Sequence, residues 1–437
     1  MPIRVRDEVF PNAAGVDVGA SSHWVAVPAD RCEQPVREFQ VVTSELHRLA
    51  DWLVECDVDT VALESTGVYW IPLYELLERR GLKVCLVNAR EVRHVPGRKS
   101  DILDCQWLQK LMSFGLLRAA FRPSDEVCVL RAVNRQREVL LAEQVRWVQR
   151  MQKALVEMNI QLREVLSDVM GATGQAIVRA IVAGQRDPQK LAQLRNGRVK
   201  ASREAIAAAL TGNWREEHLF VLSQALAMYD DHARHLQECD AKLQTLLNAR
   251  ISHRIDIGKK PRTGTKTCAE FELRQMLANW AGADLTRIPG VGVTTVLTLL
   301  CETGPDLGRF KTVKQFCAWL GLAPGTKISG GKVLSARTKF SANRVRQALK
   351  MAAQALSHSH SALGSFYKRL CARMDAPRAN TAVAHKLARL VYFTLTRGWE
   401  FVEQGQAQYE QQQRARSIAA LKRRAAAMGF AVQPAIA

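Results

Sequence analysis

The sequence predicts a multidomain chain that is α/β at its N-terminal end and mainly helical after it. Over residues 1–120, short apolar runs of strand-like composition alternate with helical segments. From Ser124 onward the apolar residues recur at helical spacing, and neither Pro nor Gly interrupts them before Gly171. A length of 437 residues also exceeds what one hydrophobic core usually serves. These observations favour several domains of two structural kinds.

The N-terminal part is predicted to be a mixed sheet flanked by helices. The predicted elements are two strands within 13–29 joined by a turn at 19–22, further strands at 36–42, 59–64 and 82–87, and helices at 44–56, 71–80 and from 101 onward. This hairpin-rich start, followed by alternating strands and helices, matches the element order of a ribonuclease-H-like domain.

Five segments are expected along the chain. They are an α/β catalytic domain at 1–120, a helical coiled-coil or dimerisation arm at 121–256, a linker at 257–281, a C-terminal domain at 282–400 and a basic helical tail at 401–437. Two helices, predicted at 124–166 and 216–250, are longer than a compact core needs, which is typical of an antiparallel coiled-coil arm or a dimer interface.

The charge of the chain points to a polyanionic partner. Its net charge is +20, and between Leu307 and Trp399 it carries 17 Lys or Arg residues against a single acid, Asp375. A surface of one sign repels itself unless a polyanion neutralises it, so nucleic acid is the expected partner. No apolar run approaches a membrane span, and the ten cysteines resemble reduced thiols, so a cytoplasmic, nucleoid-associated protein is expected.

Four acidic residues are the candidate catalytic metal ligands. Asp17 and Glu64 each lie at the end of a strand-like run, whereas Asp101 and Asp104 are three apart on a helix and share one face. Carboxylate oxygens are the ligands that Mg²⁺ prefers, and such a set can hold two ions. We therefore expect a site for two Mg²⁺ ions at these four side chains.

Two further readings concern the neighbours of these acids. Arg98 and Lys99 precede Asp101 in the chain and are expected to contact a phosphodiester. The turn after Asp17 also resembles the first phosphate loop of actin-like and sugar-kinase ATPases. Those folds need a second phosphate loop and an adenosine-binding glycine pair, and neither is convincingly placed in this sequence.

The C-terminal part contains candidate contacts to nucleic acid. The segment Ile288–Gly292 resembles the hairpin of a helix-hairpin-helix motif, in which Gly290 and Gly292 would let backbone N–H groups approach a phosphate. Further along the chain, the basic side chains expected to bind the phosphate backbone are Lys327, Lys332, Arg337, Lys339, Arg344 and Arg346.

Ser329 is the candidate nucleophile. It lies between Lys327 and Lys332 beside two glycines, which supply positive charge and allow a phosphate to approach closely. Spacing alone favours an ordinary Gly/Ser hairpin turn at this position. Ser335 and Ser341 are rival nucleophiles, although Ser341 is expected to be the N-cap of a following helix.

Several motifs together resemble one family. They are Gly15–Val18, Leu63–Gly67, Lys99–Asp104, Ile288–Gly292, Gly321–Pro324, Ser329–Lys332, Ser341–Arg344, Ala384–Arg389 and the tail from Arg423 to Phe430. In this order they resemble the DEDD transposases of the IS110 group of bacterial insertion sequences, which are related to Piv-type DNA invertases and regarded as bridge-RNA-guided serine recombinases.

The resemblance implies a fold, a chemistry and partners. It implies an N-terminal RuvC-like domain, a coiled-coil arm and a C-terminal transposase domain. By position, Asp17, Glu64, Asp101 and Asp104 would bind Mg²⁺, and Ser329 would form a phosphoserine intermediate with DNA. It also implies a structured bridge RNA, DNA at the element ends and at the target, and a dimer or tetramer whose metal site and serine combine across subunits.

The expected function is therefore Mg²⁺-dependent DNA strand exchange for an insertion sequence. Two alternatives stay open at this point. A RuvC-like junction endonuclease would hydrolyse DNA with water and form no DNA–protein adduct. A non-catalytic nucleic-acid-binding protein would bind without regard to Mg²⁺ or to the four acids.

Overall fold

The computed structural model describes residues 8–88, 100–251, 253–257 and 272–433. The chain divides into two compact units, Met1–Arg122 and Pro123–Ala437. The predicted phosphate contacts Arg98 and Lys99, and most of the predicted linker at 257–281, lie outside the described residues. In the part of the chain that is described, no helix is both long and apolar enough to cross a membrane.

The N-terminal unit is built on one mixed five-stranded sheet. Its elements are β1 (Ala13–Val18), β2 (Ser22–Ala26), β3 (Val36–Gln40), α1 (Thr43–Glu55), β4 (Thr60–Glu64), α2 (Trp70–Arg79), β5 (Lys83–Val87) and α3 (Asp101–Ser113). The strand order is β3-β2-β1-β4-β5, with β1, β4 and β5 parallel to one another and the β1-β2-β3 meander antiparallel. This mixed sheet with flanking helices is consistent with the predicted ribonuclease-H-like domain.

The two faces of the sheet bury different layers because side chains alternate along each strand. On one face, Val16 and Val18 join the large core that α1 and α2 complete, with Leu49 and Leu73 among its fully buried members. The opposite face carries a smaller cluster around Ala13, which includes Met112 of α3. Asp17 lies four residues after Ala13 on β1 and therefore shares the face that α3 covers.

A glycine lets α3 lie directly on β1. A Cβ at Gly15 would be 2.9 Å from the Cα of Gln109 and closer still to the Gln109 nitrogen and the Cys105 carbonyl oxygen. Because these are backbone atoms of a helix, they cannot move aside as the tip of a side chain can. Gly15 thus sets the distance at which the first turns of α3 pass over the strand that carries Asp17.

The C-terminal unit begins with a long antiparallel helix pair. Its first elements are α4 (Asp125–Glu157), α5 (Leu162–Val165), α6 (Ala172–Val182), α7 (Pro188–Gln193), α8 (Arg203–Ala209) and α9 (Glu216–Asn248). The predicted long helices correspond to α4 and α9, which pack along each other. Polar contacts join them: Arg137 contacts Asp240 at 2.5 Å, His218 contacts Glu157 at 3.4 Å, and Arg250, just after α9, contacts Glu126 at 3.9 Å. The antiparallel pair is a feature of the fold, whereas the coiled coil stays a prediction.

The first long helix ends earlier than the sequence predicts. The expected helix runs to residue 166, but α4 stops at Glu157 and Asn159 adopts a left-handed backbone with φ of 56°. The chain then turns so that the Gln161 N–H donates to the Ala209 carbonyl and the Met158 carbonyl accepts from the Asn213 N–H. No Pro or Gly was needed, because Asn tolerates this conformation better than most residues.

Short helices α5–α8 form a bundle between the far ends of α4 and α9. Its buried side chains come from both long helices and from the short ones, with Met151, Leu155, Ile177, Ile206 and Leu222 among them. The bundle therefore closes one end of the helix pair with its own hydrophobic core.

The remainder of the unit is a helical bundle with one small hairpin. Its elements are α10 (Leu273–Ala281), α11 (Val293–Thr303), α12 (Val313–Trp319), β6 (Lys327–Ser329), β7 (Lys332–Ser335), α13 (Arg344–Ala355), α14 (Ala362–Cys371), α15 (Ala376–Arg397) and α16 (Trp399–Ala427). Short 3₁₀ turns precede α11 and follow α13.

A buried carboxylate fastens α4 to this bundle. Glu302 of α11 is 6% exposed and accepts two hydrogen bonds from the Arg135 guanidinium, at 2.7 and 2.8 Å. Arg131, one turn earlier on α4, lies 3.2 Å from the same carboxylate and donates to the Glu302 backbone carbonyl. A second contact joins Glu138 of α4 to Arg344 of α13. These pairs fix the start of the long helix against the C-terminal bundle.

We predict that Gly15→Ala destabilises the N-terminal unit by about 2 kcal/mol or more, because the added methyl would overlap backbone atoms of α3. The measurement is the urea midpoint of unfolding. Gly197→Ala is the matched control, since nothing lies within 4 Å of a Cβ there and its φ is not positive. Equal midpoint shifts in the two variants would contradict the close packing of α3 on β1.

Candidate active site

Two of the predicted metal ligands lie at adjacent strand ends. Val16 of β1 pairs with Leu63 of the parallel strand β4, and Asp17 and Glu64 are the next residue on each strand. Neighbouring strands run roughly 4.8 Å apart, so the two carboxylates leave the sheet side by side. The Glu64 carboxylate also accepts a hydrogen bond from the Thr66 hydroxyl at 3.0 Å, which helps to orient it.

The other two predicted ligands lie in the first turn of α3. Ser100 is the N-cap of this helix, and its hydroxyl accepts from the Leu103 N–H at 3.3 Å. Asp101 and Asp104 follow, the first exposed and the second half-buried. Acids at a helix N-terminus are stabilised by the unpaired N–H groups there, which favours this position for carboxylates.

The pKa of Asp17 responds to the three other acids. The pKa of Asp17 is raised from 3.8 to about 6, mostly by partial burial of the side chain and in part by the negative charges of Glu64, Asp101 and Asp104. A hydrogen bond from the backbone at Val18 acts in the opposite direction. The charges of Glu64, Asp101 and Asp104 therefore all act on Asp17, while their grouping into one metal site stays a prediction.

A divalent cation fits this donor set by chemistry. The donors are hard carboxylate oxygens, which divalent cations prefer. The negative neighbours that raise the pKa of Asp17 make the site electronegative, and a bound cation would offset that charge. Among the described residues, however, no three acidic, His or Cys side chains surround one point closely enough to hold an ion as they stand. A bound ion would thus require side-chain rotations that bring these oxygens together.

Ser329 lies at the tip of the β6–β7 hairpin. The turn residues Gly330 and Gly331 both have positive φ, at 52° and 74°, which is the two-residue turn that suits a hairpin. Ser329 pairs with Lys332 across the turn, and the whole tip is exposed. In the described part of the chain no side chain hydrogen-bonds to its hydroxyl, so any base that activates it must come from elsewhere.

Of the six basic residues predicted around this hairpin, four point into solvent. Lys327, Lys332, Arg337 and Lys339 are all exposed. Apolar side chains accompany them, with Phe340 81% and Leu334 68% exposed. A cationic hairpin with exposed apolar and aromatic groups is suited to phosphate contacts and to stacking on bases.

The other two basic residues serve contacts within the unit. The Arg346 guanidinium donates to the carbonyls of Lys339 and Ser341 at 3.2 and 3.3 Å, and so holds the base of the hairpin to α13. Arg344 is paired with Glu138, which also accepts from the Thr298 hydroxyl at 3.0 Å. Their predicted role as phosphate contacts would therefore require these bonds to break.

The glycines of the predicted helix-hairpin-helix motif differ in their surroundings. Gly290 has φ of 87°, and a Cβ there would be 2.8 Å from both the Ala352 carbonyl oxygen and the Leu356 Cγ, so packing explains this glycine. Gly292 is the N-cap of α11 and has nothing within 4 Å of its Cβ position. Only Gly292 leaves a helix N-terminus open to a phosphate.

Some features escaped the sequence analysis. The expectation that Ser341 caps α13 is wrong: Asn343 is the N-cap and accepts from the Arg346 N–H at 3.1 Å, while the Ser341 hydroxyl accepts from the Asn343 N–H at 3.2 Å. Both residue types cap helices, so the spacing could not decide between them. The role of Gly15 was also missed, because a glycine in a strand signals close approach without saying of what.

Comparisons with known proteins indicate one family of transposases. A model described as Transposase, of the DEDD IS110 type, matches residues 14–160, and one described as Transposase IS116/IS110/IS902 family matches residues 282–368. The y4pF/y4sB protein of Sinorhizobium fredii, which carries a transposase name, is 31% identical over 154 residues, covering 33% of this chain and 38% of that protein. An uncharacterized 43.6 kDa protein of insertion element IS110 from Streptomyces coelicolor is 33% identical over 123 residues, or 27% of this chain and 29% of its own length. The alignments thus span well under half of either relative.

We predict that Asp17→Asn stabilises the metal-free protein at neutral pH. A raised carboxyl pKa means that the folded state holds its proton more tightly, so the unfolding free energy falls as pH rises from about 4 through about 6. The neutral amide removes that loss, by on the order of 1 kcal/mol once solvent screening of this half-exposed group is allowed for. Thermal unfolding in a chelator should show the gain at about pH 7.5 and a smaller one at about pH 5.

Asp30→Asn, an exposed acid in the same unit, is the control and should show no such pH-dependent gain. Mg²⁺ should stabilise the wild-type chain more than the Asp17 variant. A variant that is less stable than wild type at every pH would contradict the clustering of the four charges.

Proposed function

The chain belongs to the IS116/IS110/IS902 family of transposases, and we propose that it cuts and rejoins DNA strands to move a bacterial insertion sequence. The observation that carries the proposal is the placement of the acids: Asp17 and Glu64 lie at adjacent strand ends, and Asp101 and Asp104 lie in the first turn of the helix that packs on β1. The raised pKa of Asp17, to which burial contributes most and the three other carboxylates contribute further, agrees with this placement. Strained clusters of like charge are characteristic of functional sites, since a purely structural surface gains nothing from them.

The metal chemistry is the first part of the proposal. Asp17, Glu64, Asp101 and Asp104 would hold up to two Mg²⁺ ions, which would neutralise charge developing on the scissile phosphate and favour the ionised form of an attacking hydroxyl. The chain's own contribution is to carry two carboxylates at strand ends and two in the first turn of α3. Gly15 allows α3 to pack closely on β1, the strand that carries Asp17. Without a cation, the same charges would repel a phosphodiester.

The covalent chemistry is the second part. The Ser329 oxygen would attack the scissile phosphorus, lose its proton to a base, and form a phosphoserine ester while the DNA sugar hydroxyl leaves. The reverse attack by a hydroxyl of another strand would release the serine and join the new strands. Each step exchanges one phosphoester for another, so no ATP is needed. The exposed hairpin tip, with its paired glycine turn, is open enough for a phosphate to reach the serine.

The serine needs help that its own hairpin does not give. Lys327 and Lys332 beside Ser329 supply positive charge, but neither side chain accepts its proton while charged. We propose that the carboxylate site of a second copy, in a dimer or tetramer, completes the site. This requirement favours a homo-oligomer that acts as a unit.

Nucleic acid is the proposed partner of the C-terminal unit. The exposed cations Lys327, Lys332, Arg337 and Lys339 would grip the phosphate backbone on either side of Ser329. The net charge of +20 is large enough to neutralise phosphates of a structured guide RNA as well as of DNA. The proposed place of action is the bacterial nucleoid. The choice of target would then rest on base pairing with that RNA.

A water-using endonuclease is the second candidate function. The observation in its favour is the absence, among the described residues, of any hydrogen bond that prepares the Ser329 hydroxyl for attack. In that case the four carboxylates would direct a water at the phosphate, and the hairpin would only bind DNA.

We predict that Ser329→Ala abolishes a covalent DNA–protein adduct that the wild-type chain forms with a suicide DNA substrate in the presence of Mg²⁺ and the co-purified RNA. The adduct is read on a denaturing gel, and its loss should be at least about a hundredfold, because the attacking atom is removed. Asp17→Asn should remove the adduct as well, whereas binding of the same DNA should change by less than about threefold in both variants.

Ser335→Ala is the control in the same hairpin, since the Ser335 hydroxyl accepts a hydrogen bond from the Arg337 N–H and lies away from the hairpin tip. That variant should keep the adduct. An adduct that survives Ser329→Ala would place the nucleophile elsewhere, and nicked DNA with no adduct from the wild-type chain would establish the water-using alternative.

A further inference from the structure

A basic loop projects from the small bundle that joins α4 and α9. Residues 188–203 contain five Lys or Arg side chains and no acid. We call residues 194–203, which run from the end of α7 to the first residue of α8, the basic loop. Its outward side chains Arg198, Lys200 and Arg203 are exposed, as is Lys190 on α7. None of these residues belongs to the hairpin or to the carboxylate site.

The basic loop is held in a defined shape. The Arg195 guanidinium donates to the backbone carbonyls of Val199 at 2.6 Å and of Ala201 at 2.7 Å. The Asn196 N–H donates to the hydroxyl of buried Thr173 at 2.9 Å. A loop tied in this way displays its side chains without a large ordering cost on binding.

The loop alternates between inward and outward residues. Val199 and Ala201 pack against the core of the small bundle, whereas Arg198 and Lys200 point to solvent. Gly197, beside them, has nothing within 4 Å of its Cβ position. Arg198 and Lys200 therefore form an exposed pair of cations, which we call the ridge, with open space beside it at Gly197.

The acid that follows the loop in sequence is engaged by neighbouring groups. Glu204 follows the loop, and hydrogen bonds from its own backbone N–H and from the Ser202 hydroxyl lower its pKa, with smaller contributions from Arg203 and Arg195. Across the described ranges of the chain, neither Arg198 nor Lys200 forms an ion pair. Their charge is thus available to an outside anion.

The helix pair sets the distance from this loop to the hairpin end of the unit. Glu138 of α4 contacts Arg344 of α13, beside the Arg346 side chain that holds the hairpin base. Met158, at the other end of α4, lies in the core of the small bundle. At about 1.5 Å of rise per residue, these two points are roughly 30 Å apart along the helix. One turn of duplex DNA is about 34 Å.

We propose that the basic loop is a second DNA-binding surface, which contacts the phosphate backbone of duplex DNA about one helical turn from the DNA at the Ser329 hairpin. No aromatic residue lies within 188–203, so the loop lacks the stacking groups that single strands require. Paired cations on a fixed ridge suit the regular backbone of a duplex. The proposal rests on the proposed function only in taking DNA as the partner.

The test compares Arg198→Gln/Lys200→Gln with Lys83→Gln/Lys242→Gln, a control that removes the same charge from exposed positions outside the loop. Binding of the full chain to duplexes of about 12 and about 40 base pairs is measured across a salt series. On the longer duplex the loop variant should bind about tenfold more weakly, and the slope of log affinity against log salt should fall by about 2. On the shorter duplex, which cannot span both surfaces, the effect should nearly vanish.

Three results would overturn the proposal. They are an unchanged salt slope on the longer duplex, an equal loss in the control variant, and a loss confined to an RNA duplex tested in parallel. Such a result is distinct from a failure of the proposed function, because the Ser329 adduct can form on a short DNA substrate that does not reach the basic loop. A wild-type chain that binds no DNA would overturn both this proposal and the proposed function.

Discussion

The close contact between α3 and β1 at Gly15 is the constraint on which the candidate active site depends. Strand pairing places Asp17 beside Glu64, and the helix whose first turn carries Asp101 and Asp104 lies directly on β1 because Gly15 has no side chain. The consequence is recorded at Asp17, whose pKa is raised to about 6 by partial burial and by the three other charges. Placing these charges near one another lowers the stability of the metal-free fold at neutral pH, as is common where a protein must bind a cation.

In the C-terminal unit, arginine–carboxylate contacts play the corresponding organising role. Buried Glu302 holds Arg135 and Arg131 of α4, and Glu138 holds Arg344 of α13. Removing both arginines would leave the buried Glu302 carboxylate without a partner, and an uncompensated buried charge costs about 3–5 kcal/mol. These contacts make the long helix a fixed spacer between the hairpin end of the unit and the small bundle that carries the basic loop.

Much of the N-terminal architecture could be predicted because its signals are local. Strand composition and glycine turns indicated the elements, and the family resemblance indicated how they assemble. The sequence could not show that α4 ends at Glu157, since Asn159 turns the chain through contacts with residues far along it. Nor could it show that Arg344 and Arg346 are engaged within the unit, because a basic residue looks the same whether it meets a phosphate or a neighbouring carboxylate.

The central claim is that four carboxylates far apart in the chain form one divalent-cation site. Anomalous diffraction from crystals grown with Mn²⁺, a Mg²⁺ surrogate, tests it most directly. The account predicts one or two Mn²⁺ peaks about 2.2 Å from carboxylate oxygens of Asp17 and of at least two of Glu64, Asp101 and Asp104. Crystals of the wild-type chain with well-ordered carboxylates and no anomalous peak between them, at saturating Mn²⁺, would contradict it.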